Sequence, residues 1–164
     1  MNFTLYTADC AGNATNCLYP HESGITCPEE LAAAVSRDHV FAGYRDGYRL
    51  AGNFLRSDVI PMDCDNGHSE NPNDWLTAEK LADIFAGTDM VIYPSRHHML
   101  PKGGRAARPK YHVLFPIRER EDAGEYAALK AAIQKRYGFF DGNALDAARF
   151  FFGSACEPAD ITRR

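Results

Sequence analysis

Along most of the chain, apolar residues either alternate with polar ones or recur at helical spacing, and the two patterns take turns. "FTLY" alternates as a short strand near the N-terminus. "CPEELAAAVSRD" reads as a helix, with Thr26 or Cys27 in the capping position, Pro28 in the first turn, and Glu29 and Glu30 at its positive end. "HVFAGYRDGYRL" sets aromatic and β-branched residues around an Asp-Gly and predicts a hairpin. A strand from Val59 to Cys64 leads to Asp65. "LTAEKLADIFAG" is a helix capped by Thr77, with Leu81, Ile84 and Phe85 on one face and Gly87 past its end. "MVIYPS" and "KYHVLFPI" are strands joined by the Gly/Arg/Pro-rich loop "LPKGGRAARP". Residues 122–137 form a helix with Tyr126, Leu129 and Ile133 on one face, and the tail from Gly138 has no clear terminal element. Interleaved strands and helices with a tight hairpin predict an α+β fold with a mixed or antiparallel sheet.

At 164 residues, residues 1–164 fit one domain with a real core. No apolar stretch approaches a membrane span, and "MNFTLYTADC" lacks a signal-peptide pattern, so a cytoplasmic location without membrane contact is the default expectation. Five cysteines at 10, 17, 27, 64 and 156 are an odd count that suits reduced thiols. A net charge of -4 makes no global case for nucleic acid, but its distribution does something local. Between Met90 and Arg118 there is no Asp or Glu, while Arg96, Lys102, Arg105, Arg108, Lys110 and Arg118 all lie there. Such a segment in an acidic chain predicts an anion site; a solvated basic loop is the plainer alternative.

The sharpest chemistry lies in "VIPMDCDNGHSENPNDW". Residues i and i+2 of a strand share a face, so Asp63 and Asp65 project together and Cys64 turns away. Two carboxylates that close repel each other unless a proton or cation relieves them, and hard divalent ions such as magnesium or manganese take oxygen ligands. Alone, the pair reads as readily as a frayed strand end making Asx turns. Two other places give it company. His112 starts a strand beside Lys110 and Arg108, where an imidazole could donate to phosphate. In "ALDAARFFFGS", Asp146 follows an apolar pair and Arg149 comes three residues later. If Asp146 folds back onto Asp63 and Asp65, three carboxylates could hold two metals for in-line phosphoryl or nucleotidyl transfer; on its own, Asp146 reads as a helix cap.

In this order, "MDCD", "KYH" and "LD" resemble the signature of the archaeo-eukaryotic primase superfamily: Asp-x-Asp at a strand end, small-x-His on a following strand, then hydrophobic-Asp. The blocks "DHVFAGYRDGYRLAGNFLRSD", "YPSRHHM", "GGRAARPKYHVLFPI" and "ALDAARFFFG" are similar to the primase-polymerase-like domains of replication proteins from phages, plasmids and integrative elements. The resemblance runs from about residue 10 to residue 155. It implies an RRM-like sheet joined to a small N-terminal αβ unit, and a metal-dependent nucleotidyltransferase that joins nucleoside triphosphates on a single-stranded DNA template. Asp63, Asp65 and Asp146 would be the catalytic carboxylates and hold Mg²⁺ or Mn²⁺ in a two-metal site. His112 would meet the triphosphate, with Ser95, Arg96 and His98 from the "SR-x-H-M" block nearby and Lys110, Arg108 and Arg149 adding charge. Lys110 stands where the superfamily has a small residue. Relatives of this kind often carry helicase or primase C-terminal regions, and the ending "TRR" is what a piece of a longer protein would show.

Three other readings compete. Haloacid-dehalogenase-like phosphatases also use an Asp-x-Asp at a strand end, but "ALDAARF" lacks the second acid they need. Cys10, Cys17, His21 and Cys27 could gather a structural zinc in a non-catalytic DNA-binding module, yet the spacing departs from ordinary zinc knuckles and zinc is not expected there. "RHHM" hints at a rolling-circle nuclease, but His97 and His98, being adjacent, would face opposite ways. Trp75 and Phe150, Phe151 and Phe152 are expected in the core, and Arg49 and Asn53 have no mechanism in the sequence alone.

Overall fold

The computed structural model describes residues 1–164, the side chain of Ala144 excepted. Its strands are β1 (Phe3–Thr7), β2 (His21–Ile25), β3 (His39–Val40), β4 (Gly43–Tyr44), β5 (Phe54–Cys64), β6 (Val91–Pro94), β7 (Tyr111–Arg120) and β8 (Thr162–Arg163). The α-helices are α1 (Pro28–Val35), α2 (Ala78–Ile84) and α3 (Ala123–Arg136). β2-β1-β3 make a three-stranded sheet and β4-β5-β7-β6-β8 a five-stranded one, and every pairing is antiparallel. The fold is α+β. No helix among the described residues is long and apolar enough to cross a membrane.

The period-two pattern of the long strands divides the interior in two. Ile60, Met62 and Cys64 of β5, Ile92 of β6 and Val113 and Phe115 of β7 face one way and meet Leu81, Ala82, Phe85 and Tyr126 from α2 and α3. Val59, Val91, Tyr93 and Leu114 face the other way, against Phe3, Leu5, Ile25, Leu31, Val35 and Phe41 of the N-terminal unit. The larger sheet is thus sandwiched between a helical layer and the small β1–β3 unit. Each buried Leu, Ile or Phe contributes about 1.5–3 kcal/mol.

The local signals explain most elements. Thr77 caps α2 by accepting from the Lys80 N–H, and Asp122 does the same for α3 at Glu125. Cys27 stands at the N-cap of α1 without a side-chain hydrogen bond; Glu30 instead reaches back to the Thr26 N–H and hydroxyl. Elsewhere tertiary context wins. "HVFAGYRDGYRL" does not form a hairpin: β3 pairs with β1 and β4 with β5, in different sheets, and Asp46 at φ 55 bends a 3-10 turn after β4. On α2 the buried residues are Leu81 and Ala82, with buried Phe85 just past its end, while Ile84 is exposed. On α3 the fully buried partner of Tyr126 is Lys130. The tail does end in an element, β8, which adds an edge beside β6.

One buried carboxylate ties the N-terminal unit to the tail. Asp38 accepts from the N–H groups of Gly12 (2.7 Å), Asn13 (2.8 Å) and Gly153 (2.8 Å). Gly153 lies so close to the Ser36 carbonyl that a Cβ there would sit 2.5 Å from it, so the crossing needs glycine. Next door, His39 exchanges backbone hydrogen bonds with Phe151 and binds the Tyr93 hydroxyl at 2.8 Å.

Burial pushes the His39 pKa down to about 4, so the folded protein keeps this ring neutral where the unfolded chain would charge it near 6.5. Stability from this group is present above pH 6.5 and is lost as pH falls toward 4. Urea unfolding followed against pH should show a loss on the order of 3 kcal/mol across that window. His39→Phe, whatever its absolute stability, should flatten the profile; an equally steep profile in the variant would contradict the assignment.

Candidate functional site

The face of the larger sheet that is apolar at its centre turns polar at one end. Along β5 the face runs Val59, Pro61, Asp63 and on to Asp65; along β7 it runs Leu114, His112 and back to Lys110; after β6, Tyr93 is followed by Ser95. Cross-strand register sets Asp63 opposite His112 and His112 opposite Tyr93. The chain turns sharply after Asp65 because Asn66, at φ 51, is fully buried and spends its side chain on Leu76 and Pro109. The Asx contacts at this strand end are therefore made by Asn66, and both carboxylates stay on one wall.

That wall lines a pocket of about 130 Å³. Asp63 and Asp65 supply its negative charge, and Arg96, His97, Lys102, Lys110, His112 and Arg149 surround them. Asp63 is buried at 5 % exposure. His112 donates from Nδ1 to Asp63 Oδ1 at 2.6 Å, and Arg149 donates from Nη2 to Oδ2 at 3.1 Å. Burial works against the Asp63 charge, but the His112 and Arg149 partners outweigh it and hold the carboxyl below the usual range. Because Nδ1 serves the carboxylate, Nε2 is the His112 atom left for a ligand. Desolvation, with Lys102, Arg96 and Lys110 close by, lowers the His97 pKa.

Arg149 arrives on a loop that is held one carbonyl at a time. Lys130 Nζ donates to the Asp146 carbonyl (3.1 Å), the Tyr44 hydroxyl to that of Ala147 (2.6 Å), and Arg49 Nη1 to that of Ala148 (2.9 Å). Three donors from α3, β4 and the segment after it thus fix the backbone just before Arg149. This gives Arg49 the role its sequence block left open. Burial pushes the Lys130 pKa down to about 8. All three phenylalanines border the pocket; Phe151 is buried in the core, whereas Phe150 and Phe152 are half-buried and stacked under Arg49 and Arg96 respectively.

The structure thus brings together Asp63, Asp65, Ser95, Arg96, Lys110, His112 and Arg149. Three expected residues lie elsewhere. Asp146 does not line this pocket; it is exposed, and its carboxylate caps the local turn by accepting from the Ala148 N–H at 2.7 Å. The acid whose backbone reaches the strand end is Asp141: its N–H donates to the Asp63 carbonyl at 2.8 Å and it shares a neighbouring cavity with Asp65, while its own carboxylate caps a local turn by accepting from the Asn143 N–H at 2.9 Å. "FFD" is itself a hydrophobic-Asp, five residues before "LD", and nothing in the motif ranks one above the other. His98 lies outside the pocket, its Nδ1 set against the Lys110 backbone. Arg108 departs furthest from a phosphate contact: it is 1 % exposed, bound to the Asn66 and Ser69 carbonyls and the Glu70 carboxylate, and stacked over Trp75.

No group of three or more His, Cys, Asp or Glu side chains among the described residues is arranged as a metal cage. Two carboxylates on one wall nevertheless fit a hard divalent ion, because magnesium is ordinarily held by one or two carboxylates and completes its shell with water or phosphate oxygens. In the N-terminal region the zinc-type residues have other partners: Cys10 faces Asp38, and His21 pairs with Asp9.

No protein-family model and no curated protein matches the chain. Among solved structures it is similar to the AEP domain of the primase-polymerase of cyanophage S-2L, with 12% identity and a TM-score of 0.49, over 98% of this chain and 80% of that one.

Arg108→Ala should lower the melting temperature, with a loss of about 2 kcal/mol from the buried hydrogen bonds; an unchanged melting temperature would contradict this structural role.

Proposed function

We propose that this chain is a divalent-metal-dependent nucleotidyltransferase of the primase-polymerase type, joining nucleoside triphosphates on a single-stranded DNA template. One observation carries the reading: two carboxylates on adjacent same-face positions, Asp63 and Asp65, share a pocket whose other charged walls are all basic or imidazole. A triphosphate demands that combination, since its own charge must be met by cations while the metal it brings needs oxygen ligands. The order of the "MDCD" and "KYH" blocks supports the same reading.

Asp63 and Asp65 would hold Mg²⁺ or Mn²⁺, and Asp141 lines the cavity next to Asp65. When bound, such ions lower the pKa of an attacking hydroxyl and neutralise a leaving pyrophosphate. The chain's own residues do the rest by position and charge. Arg96, Lys102 and Lys110 draw the phosphates into the pocket, and with both ring nitrogens protonated His112 would donate from Nε2 to a phosphate oxygen while its Nδ1 stays on Asp63. Ser95 sits at the base of the pocket, its N–H tied to the Lys110 carbonyl at 2.9 Å, which holds the "SR" turn against β7. Phe150 and Phe152 offer the apolar surface on which a base or sugar could rest.

Asp63→Ala and Asp65→Ala should each cut templated nucleotide incorporation at least about 10²-fold, whereas Asp146→Ala should leave a substantial rate; release of phosphate from a generic monoester without incorporation would favour a phosphatase instead. His112→Ala should weaken triphosphate binding more than template binding, and equal losses in the two titrations would count against the phosphate contact.

A further inference from the structure

Arg149 meets Asp63 with a contact that leaves the guanidinium largely unused. A single N–H, from Nη2, donates to the carboxylate at 3.1 Å. Its Nε is buried and has no hydrogen-bond partner among the described residues. The side chain is 36% exposed and lines the pocket. A guanidinium carries five donors in a rigid fork suited to two oxygens of one carboxylate or phosphate, so a one-point contact with an orphaned donor is far from its best. Asp63 is in the opposite position: both oxygens are taken, Oδ1 by His112 and Oδ2 by Arg149. The backbone beneath Arg149 is held by Lys130, Tyr44 and Arg49, so the side chain can turn about a fixed root.

We propose that Arg149 is an exchangeable counter-ion: it occupies Asp63 in the free protein and passes to the triphosphate when a divalent cation takes its place. The proposal rests on the reading of the pocket given above and adds that cation and triphosphate bind cooperatively because they share this one side chain. A cation arriving alone must displace a guanidinium from a buried carboxylate and then sit beside it, charge against like charge. With triphosphate present, the displaced guanidinium meets phosphate oxygens that can use its fork. By linkage the same factor must appear in both directions, cation on triphosphate and triphosphate on cation.

The test is calorimetric titration of Mn²⁺ into the protein alone and into its complex with a nucleoside triphosphate whose α–β bridge cannot be cleaved. Wild type should bind Mn²⁺ weakly alone and about tenfold or more tighter in the complex. Arg149→Met, confirmed folded by circular dichroism, should bind Mn²⁺ alone about tenfold tighter than wild type, and the gain from triphosphate should shrink. Should the methionine variant not fold, Arg149→Gln, which keeps an N–H donor toward Asp63 but no charge, takes its place, with tightening in the same direction. Mn²⁺ binding to the folded variant that is no tighter than to wild type overturns the exchange and leaves the proposed function standing. A wild type that binds no Mn²⁺ with or without triphosphate overturns both.

Discussion

The site depends on one buried carboxylate that is held from two directions. Asp63 sits inside the protein because β5 runs antiparallel to β7 with Asp63 opposite His112, and because the tail loop returns to place Arg149 on its other oxygen. A lone charge there would cost several kcal/mol in desolvation, so each oxygen needs a positive partner: His112 on one and, in the free protein, Arg149 on the other. Everything nearby follows from that demand. Asn66 turns the strand end so that Asp65 stays on the same wall, the Lys130, Tyr44 and Arg49 donors hold the loop that carries Arg149, and Asp38 knots that loop's continuation to the N-terminal unit.

The sandwich explains why the pocket lies where it does. The N-terminal unit covers the apolar middle of the β5-β7-β6 face through Phe3, Leu5 and Phe41, with Phe151 of the tail beside them, and stops short of its polar end. One strand face thus serves as core for half its length and as pocket wall for the rest, with no break in the period-two pattern. The basic side chains come from the acid-free segment, but only some of them reach the pocket. Arg96, Lys102 and Lys110 do, while Arg108 is drawn inward to pin the turn after Asp65.

Much of this was legible in the residues. The i, i+2 placement of Asp63 and Asp65, the strand that carries His112, and the caps of α2 and α3 are local consequences of sequence, and the structure has them. What was not legible depended on long-range partners. Asp146 and Asp141 both follow apolar residues and both cap local turns, and only the packing of the tail against β5 sets the Asp141 backbone against Asp63. Arg108 looks as basic as Lys110 in the sequence; its role is decided by Glu70, Ser69 and Trp75, more than thirty positions away. The expected hairpin around Asp46 failed for a similar reason, since β3 and β4 each found a better partner in a different sheet. Arg49, Tyr44 and Lys130 carry no motif at all, and their common task shows only when three consecutive carbonyls are seen to be met.

The most direct measurement is a crystal structure of the protein with Mn²⁺ and a non-cleavable triphosphate, the metal located by its anomalous scattering. The account predicts manganese coordinated by Asp63 and Asp65, phosphates against His112 and Lys110, and the Arg149 guanidinium moved from Asp63 to a phosphate. Manganese bound away from the two aspartates, with Asp63 still paired to Arg149, would contradict it.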